Sequence, residues 1–440
     1  MLNIYKEYCN ISYKGGTTEE MQEVLISTVD FGSKKISASA GKSSDGEFDI
    51  IGTKCIPSDG IEKGFIVDID KCKESFKEVM EKLKLQTNEN LKDIYVGISS
   101  KGLRITEANV KITLNNGKVR GKDIKRALNK CKFNVELLEG EEVVDTIINY
   151  YMVDDKIVYD DVVGWIGNSL SIDASVIIGP SEELLKFTEV VNDSGYNFKG
   201  FIVNIIAGRN IFIQGKKFMG VKVLVDVGAS TTDVSIFRNG VLKYIGNIPL
   251  GGNNLTRDLS ICGEFSMTEA ERIKTILSSN FETLYKDDTV EDIIDIGSSK
   301  ISKTLYYEVI NARLEEVLNY INEEIKNTSF CEGMCSIIIY GNGITYYENI
   351  VELVKNNIDF NTIIANSDYL GMKKTSNITS LSVVKEVFDR FFLFESESKE
   401  ELKETETKVE VKDEEIIENE IKETKSGLIG KLKRFIREII

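Results

Sequence analysis

One pattern recurs in this chain: an apolar β-run that ends in Asp, a glycine two positions later, and a second β-run. It occurs in VLISTVDFGSKKISASA, where Asp30-Phe31-Gly32-Ser33 joins the two runs, and again in VKVLVDVGASTTDVSIF, where Asp226-Val227-Gly228-Ala229 does so. The two aspartates lie 226 − 30 = 196 residues apart. A strand that stops at a carboxylate, turns on glycine and returns is a local structure. Meeting it twice at that separation predicts two lobes of related architecture. A chain of 440 residues is long enough for each to bury its own core.

Other segments fill in the outline. From Asp68 to Leu85 the apolar residues Cys72, Phe76, Val79, Met80 and Leu83 recur at helical spacing, with Asp70 as the expected N-cap. Between 93 and 178 short strands and helices alternate (DIYVGIS, NVKITL, KDIKRALNKC, SLSIDASVII), which predicts an inserted α+β subdomain. SEELLKFTEVVNDSGY reads as a helix, and the second β-run continues as a three-stranded meander turning at Asn239-Gly240. A long helix over about 302–326 leads to the strand SIIIY, a third glycine turn at Gly341-Asn342-Gly343, and a further helix. The expected division is an irregular extension 1–22, lobe one at 23–92 and 179–220 around the insertion 93–178, and lobe two at 221–394. An acidic linker at 395–425 and a terminal helix at 426–440 complete it.

Composition narrows the chemistry. Net charge is −16, which argues against a nucleic-acid partner. Histidine is absent, so Ser-His-Asp, Cys-His and zinc-histidine centres are excluded. The seven cysteines are scattered without Cys-x-x-Cys pairing, as suits a reducing compartment. The start, MLNIYKEYCN, has no basic-then-apolar leader, and no apolar run reaches 18 residues, so neither a signal peptide nor a membrane span is expected.

A glycine turn between strands lets backbone N–H groups approach a polyphosphate, and an aspartate at the strand end can hold Mg²⁺ beside it through waters. Thr231 and Thr232 add hydroxyls to the second turn. The third turn places glycines between a strand and a helix, which suits a flat ring against backbone. Each turn by itself is equally an ordinary connection; the three together, in this order, point to phosphate and base binding.

These turns resemble the nucleotide site of the actin, Hsp70 and sugar-kinase superfamily. GIEKGFIVDIDKCKESF, GNIPLGGNNLTRDLS, EAERIKTIL and VINARLEEVL narrow the resemblance to the FtsA family of actin-like division proteins. That implies a two-lobed actin-like ATPase fold of the α/β class with an inserted subdomain used in subunit contacts. It implies ATP and Mg²⁺ as ligands, with Gly32, Ser33 and Lys35 at the first phosphate loop and Gly228, Thr231 and Thr232 at the second. Asp30 and Asp226 would serve the metal, Glu271 and Lys274 the ribose or base, and Gly341 and Gly343 the adenine. Arg313 and Glu316 fall where the family docks the C-terminal peptide of FtsZ. Ala229, Ser230 and Asn342 depart from the family's loops. In VNIIAGRN the positions expected to carry a water-activating carboxylate are Asn204 and Ile205, which predicts slow ATP hydrolysis or none.

The segment 395–425 holds 13 acidic and 6 basic residues and no aromatic residue, the composition of a disordered linker. After it, Leu428, Ile429, Leu432, Phe435, Ile436 and Ile439 take one face of a helix, and Lys431, Lys433, Arg434 and Arg437 the other. Such a helix can lie in anionic lipid headgroups, each buried side chain contributing about 1.5 to 3 kcal/mol at most. The resemblance adds self-assembly into filaments and a place on the cytoplasmic face of the membrane at the division site. Three other readings fit parts of the pattern: a soluble sugar or carboxylate kinase of the same superfamily, a PilM-like pilus-assembly scaffold, and a binding module in which the turns are structural.

Overall fold

The structure, a computed structural model, describes residues 24–44, 47–213, 219–330, 335–365 and 378–395. The expected extension 1–22, the linker beyond Glu395 and the terminal helix 426–440 lie outside these residues.

Lobe one opens with β1 (Val24–Phe31), β2 (Lys35–Ser44) and β3 (Glu47–Pro57). A short hairpin follows, β4 (Ile61–Glu62) and β5 (Phe65–Ile66), then the helix Ile69–Thr87 and β6 (Asp93–Ile98). The N-cap of that helix is Asp68, not Asp70. Asp68 is extended (φ −140°, ψ 103°) and its side chain accepts the Lys71 N–H, while Asp70 lies inside the first turn and helps only through the helix dipole. Phe76, Val79, Met80 and Leu83 are fully buried against the sheet, and the Phe76 ring stacks on Phe31 at 5.8 Å.

The insertion comprises β7 (Arg104–Thr113), the helix Gly121–Phe133, β8 (Glu141–Val153), β9 (Lys156–Val158) and β10 (Ser169–Pro180). These strands form their own four-stranded sheet, in the order β7-β10-β8-β9, over a separate core. The expected start at residue 93 is too early, because β6 pairs in parallel with β1 and with β11 (Asn197–Val203) and so belongs to lobe one. Its apolar DIYVGI run suits a central strand covered on both faces.

Lobe two repeats the plan with β12 (Val221–Val227), β13 (Thr232–Arg238) and β14 (Val241–Ile248). The helices Gly252–Cys262 and Met267–Leu277, the ribbon β15 (Ile293–Ile296) and β16 (Ser299–Ser302), and the long helix Lys303–Asn327 come next. β17 (Cys335–Tyr340), the helix Ile350–Asn357 and β18 (Asn361–Ile364) close the sheet. The two sheet orders, β3-β2-β1-β6-β11 and β14-β13-β12-β17-β18, are the same arrangement: an antiparallel meander extended by two parallel strands. Asp30 and Asp226 occupy equivalent places, each next to last on the strand where meander and parallel pair meet. In open α/β sheets ligands gather at the carboxyl ends of such strands.

A second boundary also moves. The helix Ile378–Glu395, expected in lobe two, packs on lobe one: Val383, Val384, Val387 and Phe388 are buried with Val24, Ile26, Phe48, Ile202 and Ala207. It covers the sheet face opposite the Ile69–Thr87 helix, a face that would otherwise leave an apolar layer in water.

Candidate functional site

The ends of β1 and β12 face each other across a cleft between the lobes, and three carboxylates share it. Asp233 joins Asp30 and Asp226 because the turn between β12 and β13 closes with the Gly228 N–H donating to the Thr231 carbonyl at 2.9 Å, which sets Asp226 opposite Asp233 across the hairpin. Asp30 accepts from Asn204 Nδ2 at 2.8 Å, and Asp226 accepts from the Thr379 hydroxyl at 3.2 Å. Asp233 accepts from the Ser100 hydroxyl at 2.7 Å, the Asn247 amide at 2.7 Å and the Ser99 hydroxyl at 3.0 Å. Burial raises all three acids above their ordinary value, Asp226 up to about 7 with help from the neighbouring charges of Asp233 and Asp30. The Lys35 charge opposes the shift at Asp30 and Asp226, so it lies within electrostatic reach of both.

Two buried polar atoms at this point, Asn204 Oδ1 and the Tyr340 hydroxyl, have no hydrogen-bond partner among the described residues. Tyr340 pairs with Asp226 across β17 and β12, and burial together with the carboxylates pushes its phenol well above the ordinary value. Three neighbouring acids that burial makes hard to ionise, beside polar atoms without partners among the described residues, fit a divalent cation with water and phosphate. Among the described residues no three acids group tightly enough to form a metal cage of their own, so water and phosphate oxygens would complete the coordination of a cation here.

The glycine turns pack on one another. Gly341 has a left-handed φ of 93°, and a Cβ there would stand 2.3 Å from Asp226 Oδ1. A Cβ on Gly343 would stand 2.5 Å from the Gly228 carbonyl, whose oxygen also accepts from the Gly252 N–H at 3.0 Å. The third turn therefore lies directly on the second, and Gly251-Gly252, read in the sequence only as part of a signature, is the wedge beside them. In the first loop, Ser58 donates to the Gly32 carbonyl at 2.7 Å, and Ser33 Oγ accepts the Gly64 N–H at 3.2 Å, tying the loop to the β4–β5 hairpin. Thr231 is half-buried at the turn, whereas the Thr232 hydroxyl is buried and donates to the Leu250 carbonyl at 2.9 Å, which makes it a brace of the loop.

Glu271 and Lys274, expected at the ribose or base, form an ion pair against the Gly252 turn. Lys274 is 2% exposed and donates to the Gly252 carbonyl at 2.9 Å and to Thr256 Oγ1 at 2.7 Å, and its Nζ lies 2.7 Å from Glu271 Oε2. Burial lowers the Lys274 pKa while Glu271 resists the shift. The other oxygen of Glu271 reaches across the cleft to Lys34 in the first loop. Sequence spacing had no means of finding Lys34, because the pairing joins residues 237 apart in the chain.

Two family models match this chain: "Cell division protein FtsA" over residues 223–383, and "SHS2 domain inserted in FTSA" over 100–178. Together they take in more than half the chain, on both sides of the cleft. The chain belongs to the FtsA family. The FtsA of Bacillus subtilis (strain 168) is 25% identical over 366 residues, which cover 82% of each chain. That of Neisseria meningitidis serogroup B is 24% identical over 346 residues, 77% of this chain and 83% of its own. Among solved structures, the PilM–PilN type IV pilus biogenesis complex matches with a TM-score of 0.57 at 12% identity, covering 82% of this chain and 98% of that one, a likeness of fold. This is an actin-like cell-division protein, and neither the kinase nor the pilus-scaffold reading is favoured.

The remaining residues singled out from the FtsA resemblance lie on the long helix of lobe two. Arg313 is gripped by Asp258 and Glu316, so it is a fixed half-buried cation and not a loose surface charge. The residues of 426–440 expected to face lipid lie outside the described structure. Among the described residues no helix is long and apolar enough to cross a membrane.

Proposed function

We propose that the chain binds ATP with Mg²⁺ in the cleft, assembles into filaments, and holds FtsZ at the inner face of the cytoplasmic membrane. The observation that carries the nucleotide part is the meeting of Asp30, Asp226, Asp233 and Lys35 with the interlocked glycine turns. Bound Mg²⁺ would supply the positive charge that lets Asp226 ionise beside phosphate. Lys35 and the N–H groups of the first two turns would neutralise and orient the phosphates. Gly341 and Gly343 would present a side-chain-free surface to adenine, with Lys274 bracing the Gly252 turn from behind. Asn204, held to Asp30 through its amide, can orient a water with its free Oδ1 but takes no proton, which supports slow hydrolysis or none.

The tethering part rests on the basic amphipathic pattern of 426–440, and the FtsZ part on family membership and the Arg313–Asp258–Glu316 cluster. One short amphipathic helix binds lipid reversibly, so filaments would add affinity through effective concentration. Sedimentation with liposomes containing anionic lipid, with and without Mg-ATP, compares the full chain with one ending at Ser426. Pelleting that needs both ATP and the tail is expected, as is recruitment of FtsZ to the pellet. Equal pelleting of the shortened chain would overturn the tether.

A further inference from the structure

The helix Ile378–Glu395 touches three parts of the molecule at once. At its first turn the Thr379 hydroxyl donates to Asp226 in the cleft. Its apolar face is buried on the lobe-one sheet, where Val383 and Val384 sit under β1 and β2. Two turns further on, Glu386, 2% exposed, accepts from Arg209 at 3.0 Å, from Asn210 at 2.6 Å and from Arg390 at 2.8 Å. Arg390 in turn places a two-pronged grip on Asp145 of β8, in the inserted subdomain, at 2.7 and 2.8 Å. Both cleft aspartates from the strand ends thus reach this network: Asp226 through Thr379, and Asp30 through Asn204, which opens the two short helices Asn204–Ala207 and Arg209–Phe212 that carry Arg209 and Asn210.

We propose that this helix is a strut through which the state of the cleft sets the position of the inserted subdomain, with Arg390 as its pin. The proposal rests on the nucleotide reading above. From Thr379 to Arg390 the rise is about 16 Å of α-helix, which is stiff along its axis. The inserted subdomain is joined to lobe one by two chain crossings, before Arg104 and after Pro180, so a side contact governs its angle. One such contact is the Arg390–Asp145 pair; others run from β8 to β11, from the strut itself to the helix Gly121–Phe133, and to β14, where Ser175 donates to the Leu242 carbonyl at 3.1 Å and Lys243 pairs with Glu107. A ligand that redirects Asp226 and Asp30 alters what Thr379 and Asn204 can donate to, at one end of a rigid element. The other end is held by buried charges whose geometry permits little slack. The strut ends at Glu395, where the acidic segment of the sequence begins, so the same movement reaches the base of the proposed tether.

Hydrogen exchange on the full chain, with and without saturating Mg-ATP, tests this. In the wild type, exchange should slow on addition of ATP both at the cleft and at residues 141–153, far from any phosphate. In Asp145→Asn the cleft response should persist and the response at 141–153 should shrink at least threefold. Arg390→Lys, which keeps a charge beside Glu386 but loses the fork, should behave alike and covers the case in which Asp145→Asn is poorly folded. A response confined to the cleft in the wild type, or an undiminished one at 141–153 in both variants, overturns the strut while leaving nucleotide binding intact. No ATP binding by the wild type overturns the nucleotide reading and the strut with it.

Discussion

The acids of the cleft and the acids of the strut are both taken out of water, and they behave oppositely. In the cleft, Asp30, Asp226 and Asp233 face one another with hydroxyl and amide donors and, among the described residues, the charge of Lys35, and all three are harder to ionise than usual. At the strut, burial alone would raise Glu386, yet Arg209 and Arg390 bring it down to about 2. Asp145 is matched tooth for tooth by the Arg390 guanidinium. The strut is electrically complete within the chain. Among the described residues the cleft is not, and an excess of negative charge held in a fold is a site awaiting a cation.

The largest test of that contrast is Arg390→Met. It strips the shared cation from two buried acids and should destabilise the protein by about 3 to 5 kcal/mol, read by urea unfolding at pH 7. A loss below about 1 kcal/mol would mean that the strut acids find water, and the contrast would vanish. Gly343→Ala comes next: the new methyl must displace the Gly228 carbonyl, and ATP affinity should fall tenfold or more, about 1.4 kcal/mol, by titration calorimetry.

Smaller effects come from pH, with opposite signs in the two settings. Asp226 titrates near 7 in the fold against an ordinary 3.8, so its contribution to stability is present below about 4 and lost as pH rises through 7. Glu386 titrates near 2 against 4.5, so its contribution is present above about 4.5 and lost as pH falls towards 2. Melting temperatures of the nucleotide-free chain should therefore decline from pH 5 to 8, and Asp226→Asn should flatten that decline and melt higher than wild type at pH 8. Millimolar Mg-ATP should reverse the decline in wild type only. The smallest effect is expected from Lys34→Ala. The pair with Glu271 is half exposed and should contribute about 0.2 to 1 kcal/mol. Its loss should show as faster nucleotide entry in stopped-flow binding, with little change in melting temperature.

Much of the site was legible in the chain, for reasons that can be traced to particular residues. Asp30 and Asp226 end strands that glycine turns reverse, a feature of a few consecutive residues. Asp233 could have been found the same way: once Gly228 and Thr231 close the turn, antiparallel counting puts residue 233 opposite 226. Lys274 is expected at the ribose or base, and its depth is not legible in the sequence, because helical spacing does not show the Gly252 carbonyl and Thr256 that take its N–H groups. The Thr379 hydroxyl gave no signal, since its partner is 153 residues away; Asn204 stood out only as a position lacking a carboxylate, and its bond to Asp30, 174 residues away, was not legible.

By itself the sequence determined the local pieces: the paired strand-turn-strand units, the helix over 69–87 with its apolar stripe, the meander turning at Asn239-Gly240, and the glycines of the third turn. Short-range sterics and periodicity decide these. The tertiary structure alone decided that β6 joins lobe one, that the Ile378–Glu395 helix returns to lobe one from the far side of lobe two, and that three acids share one cleft while two others share an arginine. Periodicity tells which face of an element is buried but not against what, and the charge state of a buried acid is set by whatever stands opposite it.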